Sequence, residues 1–353
     1  EITCRNWSSD VCSSDLQDLL FWIDIFNGPH VHFFQKSHLF LRNIFYTARK
    51  YKPIPELLDL YRMPVRIIGR HGGRSAMGKL LASSRRVMEL AKYMQDRHID
   101  VALHKHSVEA ARVAWGLGLP SISFIDNELM VPQNMLVCPL SHVLIAPIAI
   151  EQSVLRNFTP AHVSILQFDG VSEVANIHEF KPDESVLRLL NLSSHHPIIV
   201  VRSEPLLAAY HNQQNLVSQL IEKIKREVPD AQVIKLNREG EAMQKEWPVF
   251  DARSLLSYAD LVISGGGTMT REAALLGTRA ITFFDNPLAV DRYLIQRGLL
   301  ESFPGRDIFN LNFRQELTQW KRIRIPGGFE HPFSLLEKAV KLLHIKNNVS
   351  AGK

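Results

Sequence analysis

The sequence predicts an α/β protein made of two Rossmann-like, doubly wound parallel-sheet domains facing a cleft. Three observations carry this expectation. Short apolar runs alternate with helical segments from Leu19 onward. The alternation pauses at a polar stretch, about Asp169 to Pro182, and then resumes. In the second series a triglycine turn joins an apolar run to an alanine-rich segment. Strands and helices alternating at this spacing imply βαβ units. At 353 residues the chain is long enough for two domains. The expected boundaries are 17–175 and 176–353, with the polar stretch as the link.

The first series begins with a strand at Phe21–Ile25 and a second at Ile44–Thr47, followed by a helix from Pro53 to Tyr61. A third strand, Val65–Ile68, precedes a long helix from Lys79 to Gln95. Val101–Leu103, a helix from Ser107 to Leu117, Ser121–Ile125 and Val143–Ile145 complete it. The second series holds strands at Ile198–Val201, Val233–Leu236, Leu261–Ile263 and Ala280–Phe284, with helices at Leu216–Arg226 and Ser254–Ala259. Pro332 to Ile345 sets Leu335, Leu336, Ala339, Val340, Leu342 and Leu343 on one helix face, predicting a packing helix of the second domain.

Residues 1–16 have neither an apolar period nor the basic and apolar regions of a signal peptide. They resemble translated sequencing-adapter read-through, so they are expected to be a poorly ordered, non-native tail in place of the natural start. The chain is 46% hydrophobic and 22% charged, and no apolar run is long enough to span a bilayer. Its three cysteines form no CxxC pair, so neither a disulfide framework nor a zinc site is expected, and a reducing cytoplasm is. A net charge of +5 fits phosphorylated ligands, an anionic lipid surface or plain solubility. No aromatic-interleaved basic motif points to nucleic acid.

The turn Gly265-Gly266-Gly267 lets the first helical N–H groups, those of Gly267, Thr268 and Met269, approach an anion, and the helix dipole adds attraction. This suggests a phosphate of a nucleotide or nucleotide sugar, with Glu272 one turn on for a ribose hydroxyl. The alternative is an ordinary tight turn. Arg202 and Glu204 end the first strand of the second series, where a guanidinium suits a pyrophosphate. In the first series Lys105, His106 and Ser107 end the fourth strand and are expected to line the cleft. Asp126 and Glu128 follow the fifth, as sugar ligands, acid/base groups or helix caps. The pairs His30/His32 and His104/His106 have no accompanying cysteine or carboxylate cluster, so no metal site is expected. Gly73 to Lys79 fits a GxxxxGK spacing but lacks the following Ser or Thr. Arg70, His71 and Arg74 read instead as a basic loop that meets an anionic acceptor or lipid headgroup, or as a solvated surface loop. The segment from Met77 to Met94 mixes apolar and basic residues, as a peripheral membrane contact does and as a core-facing helix with a basic outer side does.

Five segments occur in order: Asp24-Ile25-Phe26-Asn27-Gly28-Pro29-His30-Val31-His32-Phe33-Phe34, Thr47-Ala48-Arg49, Gly69-Arg70-His71-Gly72-Gly73-Arg74-Ser75, Val200-Val201-Arg202-Ser203-Glu204, and the triglycine turn through Glu272. Together they resemble domain of unknown function 354, a family described as predicted glycosyltransferases. More distantly the chain is similar to the GT-B superfamily, including UDP-N-acetylglucosamine 2-epimerase and the muramyl N-acetylglucosaminyltransferase. Against the family pattern, Gln35 to Asn43 is shorter and lacks a Gly-His before the second strand.

The resemblance implies a metal-independent transferase acting on a nucleotide sugar, UDP-linked, and an acceptor of unspecified chemistry, with no cofactor. His30 falls on the histidine of the transferase's Gly-Gly-His-Val turn, which implies a general base or a donor-phosphate contact. Asn27 and Gly28 would share its acceptor side, and Asp291 would hold donor-sugar hydroxyls or serve as an amino-terminal helix charge. A nucleotide-sugar 2-epimerase using Asp126 and Glu128, and a non-catalytic nucleotide-sugar binder, are the alternatives.

Overall fold

The computed structural model describes residues 14–203, 213–236, 249–319 and 328–350. The chain forms two compact units, one of Thr3–His178 with Gly327–Lys353 and one of Glu179–Pro326. Both are helix-covered parallel sheets.

In the first unit the strands are β1 (Leu20–Ile25), β2 (Asn43–Lys50), β3 (Val65–Arg70), β4 (Val101–Lys105), β5 (Ser121–Phe124), β6 (Val143–Pro147) and β7 (Ser164–Phe168). They lie in the order β3-β2-β1-β4-β5-β6-β7, and each paired neighbour is parallel. Parallel strands are buried on both faces and so read as continuous apolar runs. The strand cores Phe21–Ile23 and Val143–Ile145 fit that rule and are buried. One face carries Ile23, Phe33, Phe124 and Ile145, the other Trp22, Leu90, Ala102 and Val113. Two helices on the second face begin at serine caps. Ser75 accepts from the Gly78 N–H at the start of Ala76–Met94, and Ser107 accepts from the Ala110 N–H at the start of Val108–Gly116.

The second unit has β8 (Ile198–Arg202), β9 (Gln232–Leu236), β10 (Leu261–Ser264), β11 (Arg279–Thr282) and β12 (Glu301–Ser302), in the order β12-β11-β10-β8-β9. All pairs are parallel. Its core gathers Ile199, Val201, Leu220, Ile263, Ile281 and Phe313.

Three expectations change. The carboxyl-terminal helix, Leu336–Ser350, does not belong with the second domain. Its Leu336, Ala339, Val340 and Leu343 pack into the first unit's core, and Phe333 before it meets Phe33 edge-on at 5.2 Å and Phe124 at 5.3 Å. An amphipathic face must be covered, but its period does not say by what. The supposed link is partly structured: Glu173–Ile177 is a buried helical turn of the first unit, which ends at His178. Residues 1–13 of the supposed tail lie outside the described residues. Leu16, its last member, sits on the helix Ser14–Gln17 and is buried in the same core.

Candidate functional site

In a doubly wound sheet, ligands gather at the carboxyl ends of the two strands between which the order reverses. In the first unit those strands are β1 and β4, and in the second β8 and β10.

At the first of these edges, Asp24 near the end of β1 is fully buried. Arg86, reaching from the helix Ala76–Met94, donates to both its oxygens, Nη2 to Oδ1 at 2.6 Å and Nη1 to Oδ2 at 3.1 Å. Thr47 and Ser107 hydroxyls donate to Asp24 at 2.6 Å each, and Arg86 Nε donates to the Ile68 carbonyl at 3.0 Å. Burial opposes ionisation of Asp24, but the Arg86 charge and these hydrogen bonds outweigh it and hold the pKa below the ordinary carboxylate value. This network fixes where β1, β2, β4 and two helices meet. Ser107, expected to line the site, is one of its pillars.

Above the network lies a second polar group. His30 sits in the first turn of the helix Gly28–Gln35 and is buried, with no hydrogen-bond partner for Nδ1. Burial, then the charges of Lys105 and His106, push its pKa well below that of a free histidine, and Asp126 opposes them weakly. The ring is therefore neutral at physiological pH. Lys105 pairs with Asp126 at 2.6 Å, and His106 Nε2 lies 3.2 Å from Asp126 Oδ1. His106 holds a left-handed backbone, φ 50°, uncommon for a residue with a side chain. Its Nδ1 is buried without a partner. Arg49 at the end of β2 lies 3.9 Å over the Phe26 ring and donates to Asn27 Oδ1 at 3.1 Å, while its buried Nε has no acceptor. Asn27, the helix N-cap, thus spends its side chain on Arg49 rather than on the cap. Gly28 leaves little room: a Cβ there would stand 3.2 Å from Pro53 Cδ, a tight contact.

The structure brings His30, His106 and Asp126 into one electrostatic neighbourhood. Glu128 is half-buried two residues beyond Asp126. His104 is spent inside the sheet, 3.3 Å from Ser123 Oγ, and burial lowers its pKa to about 4. Arg70 ends β3, and His71 and Arg74 belong to the loop after it, where His71 Nδ1 accepts from the Gly73 N–H and its ring packs 4.1 Å from that of Tyr51. Among the described residues no three His, Cys, Asp or Glu side chains converge as metal ligands. The sequence marks Asp24 only as the first residue of a family segment and Arg86 only as one of the basic residues of Met77–Met94; the structure instead buries Arg86 against Asp24. A lone carboxylate inside an otherwise apolar strand was the available signal.

The second edge is built from backbone. β10 ends at Ser264, the Gly265 N–H donates to the Arg202 carbonyl at 3.1 Å, and Arg202 pairs with Ser264 across the ladder. Gly266 (φ 83°) and Gly267 (φ 106°) take left-handed conformations, and Gly267 caps the helix Thr268–Leu275 with no side-chain bond. The leading N–H groups of a helix have no partner within it, so Thr268 and Met269 present theirs at the turn. The buried Thr270 hydroxyl in the same turn has no hydrogen-bond partner. Glu272 is buried one turn on. Asp291 is committed elsewhere: it pairs with Arg271 at 2.8 Å and accepts from the Leu288 N–H at 3.1 Å, tying two helices together. It is a helix-cap carboxylate rather than an open sugar ligand. Glu204 lies outside the described residues.

Known proteins bear on this arrangement. The chain is 32% identical over 295 residues to the uncharacterised protein MJ0665 of Methanocaldococcus jannaschii, covering 78% of this chain and 85% of that one. The fold is similar to UDP-GlcNAc 2-epimerase from Neisseria meningitidis bound to UDP-GlcNAc, with a TM-score of 0.66, 13% identity, and 94% and 100% of the two chains covered. It is also similar to the glycotransferase of kitacinnamycin, with a TM-score of 0.51, 11% identity and 93% of each chain covered. At these identities the solved structures show the fold, a GT-B-type pair of Rossmann-like units. Residues 19–336 match the family described as protein of unknown function (DUF354), to which this chain belongs.

Proposed function

We propose that the protein is a GT-B glycosyltransferase that uses a nucleotide sugar, UDP-linked, without a divalent ion. The observation that carries this is the turn Gly265–Gly267 at the second unit's strand-order reversal, where left-handed glycines lead into an uncapped helix beside Arg202. In this reading the N–H groups of Gly267, Thr268 and Met269 hold the diphosphate, Arg202 offsets its charge, and the helix dipole stabilises it as a leaving group. Glu272 meets the ribose. In the first unit, neutral His30 takes the proton of an acceptor hydroxyl through its unpartnered Nδ1.

A second reading, a nucleotide-sugar 2-epimerase, draws support from the likeness to the Neisseria enzyme and from Asp126 with Glu128 at the first edge. Calorimetry with UDP and UDP-sugars tests the shared part. Wild type binds and Gly266→Ala binds roughly tenfold more weakly; absence of wild-type binding to any nucleoside diphosphate overturns both readings. Incubation of UDP-sugar in deuterated water separates them. Deuterium at sugar C2 without an acceptor favours epimerisation, whereas acceptor-dependent UDP release without it favours transfer.

A further inference from the structure

The helix Ala76–Met94 is apolar on two opposite sides. Its inner side is explained, because Arg86, Leu90 and Met94 face the sheet and are buried. Its outer side is not. Met77 is 64% exposed, Leu80 63%, Leu81 48% and Met88 59%. At 100° per residue, Met77, Leu81 and Met88 fall within about 40° of one another, diametrically opposite the buried stripe, and Leu80 flanks them. The stripe runs about 16 Å along the axis at 1.5 Å per residue. A solvated helix places charges at that pole.

Arg85 and Lys92 border the stripe on one side, about 60° and 40° from its centre, while Lys79 lies on the opposite side of the helix. Lys79, Arg85 and Lys92 are exposed on the same helix against one exposed carboxylate, Glu89. Beside the stripe opens a groove of about 840 Å³ that Lys50, Arg70, His71 and Arg85 line together with Leu81. The adjoining strand β3 is the sheet's edge and exposes Ile67 and Arg70. An apolar ridge bordered by cations is complementary to a bilayer with anionic headgroups: the ridge enters the headgroup boundary while the cations meet phosphates. A second copy of the chain would bring the same cations against one another.

We propose that the outer face of the helix Ala76–Met94 docks the protein onto an anionic lipid bilayer, with Met77, Leu80, Leu81 and Met88 inserted and Arg70, Arg85 and Lys92 on the headgroups. This does not rest on the glycosyltransferase reading. Flotation of the full chain with phosphatidylcholine vesicles, with and without phosphatidylglycerol, tests it. Wild type floats with the anionic vesicles only, and salt weakens the association. Leu80→Gln with Leu81→Gln lowers partition roughly tenfold, and so does Arg85→Glu with Lys92→Glu. Both pairs are exposed, so urea midpoints stay at the wild-type value, which separates lost docking from lost fold. Wild type that stays with the soluble fraction at low salt overturns the proposal, as do variants that float like wild type. A dimer in light scattering that Leu80→Gln with Leu81→Gln dissociates also overturns it, because the face then serves a second copy.

Discussion

The two strand-order reversals occupy equivalent places in their sheets but are made of different material. At the first, side chains do the shaping: Asp24, Arg86, His30, Arg49, Lys105, His106 and Asp126 are all buried charged or titratable groups. At the second, two left-handed glycines and the start of a helix do it. Titratable side chains can move protons but answer to pH, and their burial is costly unless every partner is present. Backbone N–H groups cannot titrate and hold an anion over the whole working range. In the proposed reading the pair separates proton chemistry from charge holding.

The largest effect should come from breaking the first edge at its centre. Asp24→Ala leaves Arg86 buried without its carboxylate, which costs about 3–5 kcal/mol. Urea unfolding measures this, and a loss under about 1 kcal/mol would show that water or Glu109 substitutes for Asp24.

Acid should act on the first unit before the second. An unfolded histidine takes up its proton near pH 6.5, but folded His104 does so only near 4. The neutral native form therefore has its full advantage above about pH 6.5 and loses about 3 kcal/mol as the pH falls through that window. Buried His30 and His331 are shifted in the same direction. In the second unit, His195 and His196 are exposed. Hydrogen exchange at pH 5 should report opening of residues 19–178 before that of 179–326, and simultaneous opening would sink the contrast.

His30→Asn should slow acceptor-dependent UDP release by about a hundredfold, the low end for a lost general base, while calorimetry finds UDP affinity unchanged. If affinity falls instead, His30 touches the donor. Gly266→Ala is the smallest of the four. Its φ of 83° implies a strain of about 1–2 kcal/mol for a residue with a side chain, read as loss of UDP affinity that is the same at pH 6 and pH 8.

Much of this contrast was legible in the sequence. The glycine turn was, because left-handed backbone needs a residue type that shows in one dimension. So were ten of the twelve strands among the described residues: the central ones are buried apolar runs, and the edge strands β3 and β9 still hold a short apolar stretch. β7, Ser-Ile-Leu-Gln-Phe, was missed because polar residues interrupt the run at the sheet's edge, and β12 is only two residues long. The Asp24–Arg86 pair joins positions 62 apart, and no local period reports such a partner. His30, His106 and Asp126 were singled out as strand-end residues, but their shared electrostatics depend on Lys105 and Arg49, which only the folded sheet gathers. Asp291 was a ligand candidate only through the GT-B resemblance, and its helix-charge alternative holds, but no local period reports its pairing with Arg271 twenty positions earlier.

The return of residues 327–350 to the first unit makes the second an insertion within it. On the ribosome, residues 179–326 are complete before Phe333, Leu336 and Val340 have been synthesised, so the later-numbered unit is the first able to close its interior. The nascent first unit must wait with Phe33, Phe34 and Phe124 lacking their last cover, and that interval is when a chaperone would have the most to shield.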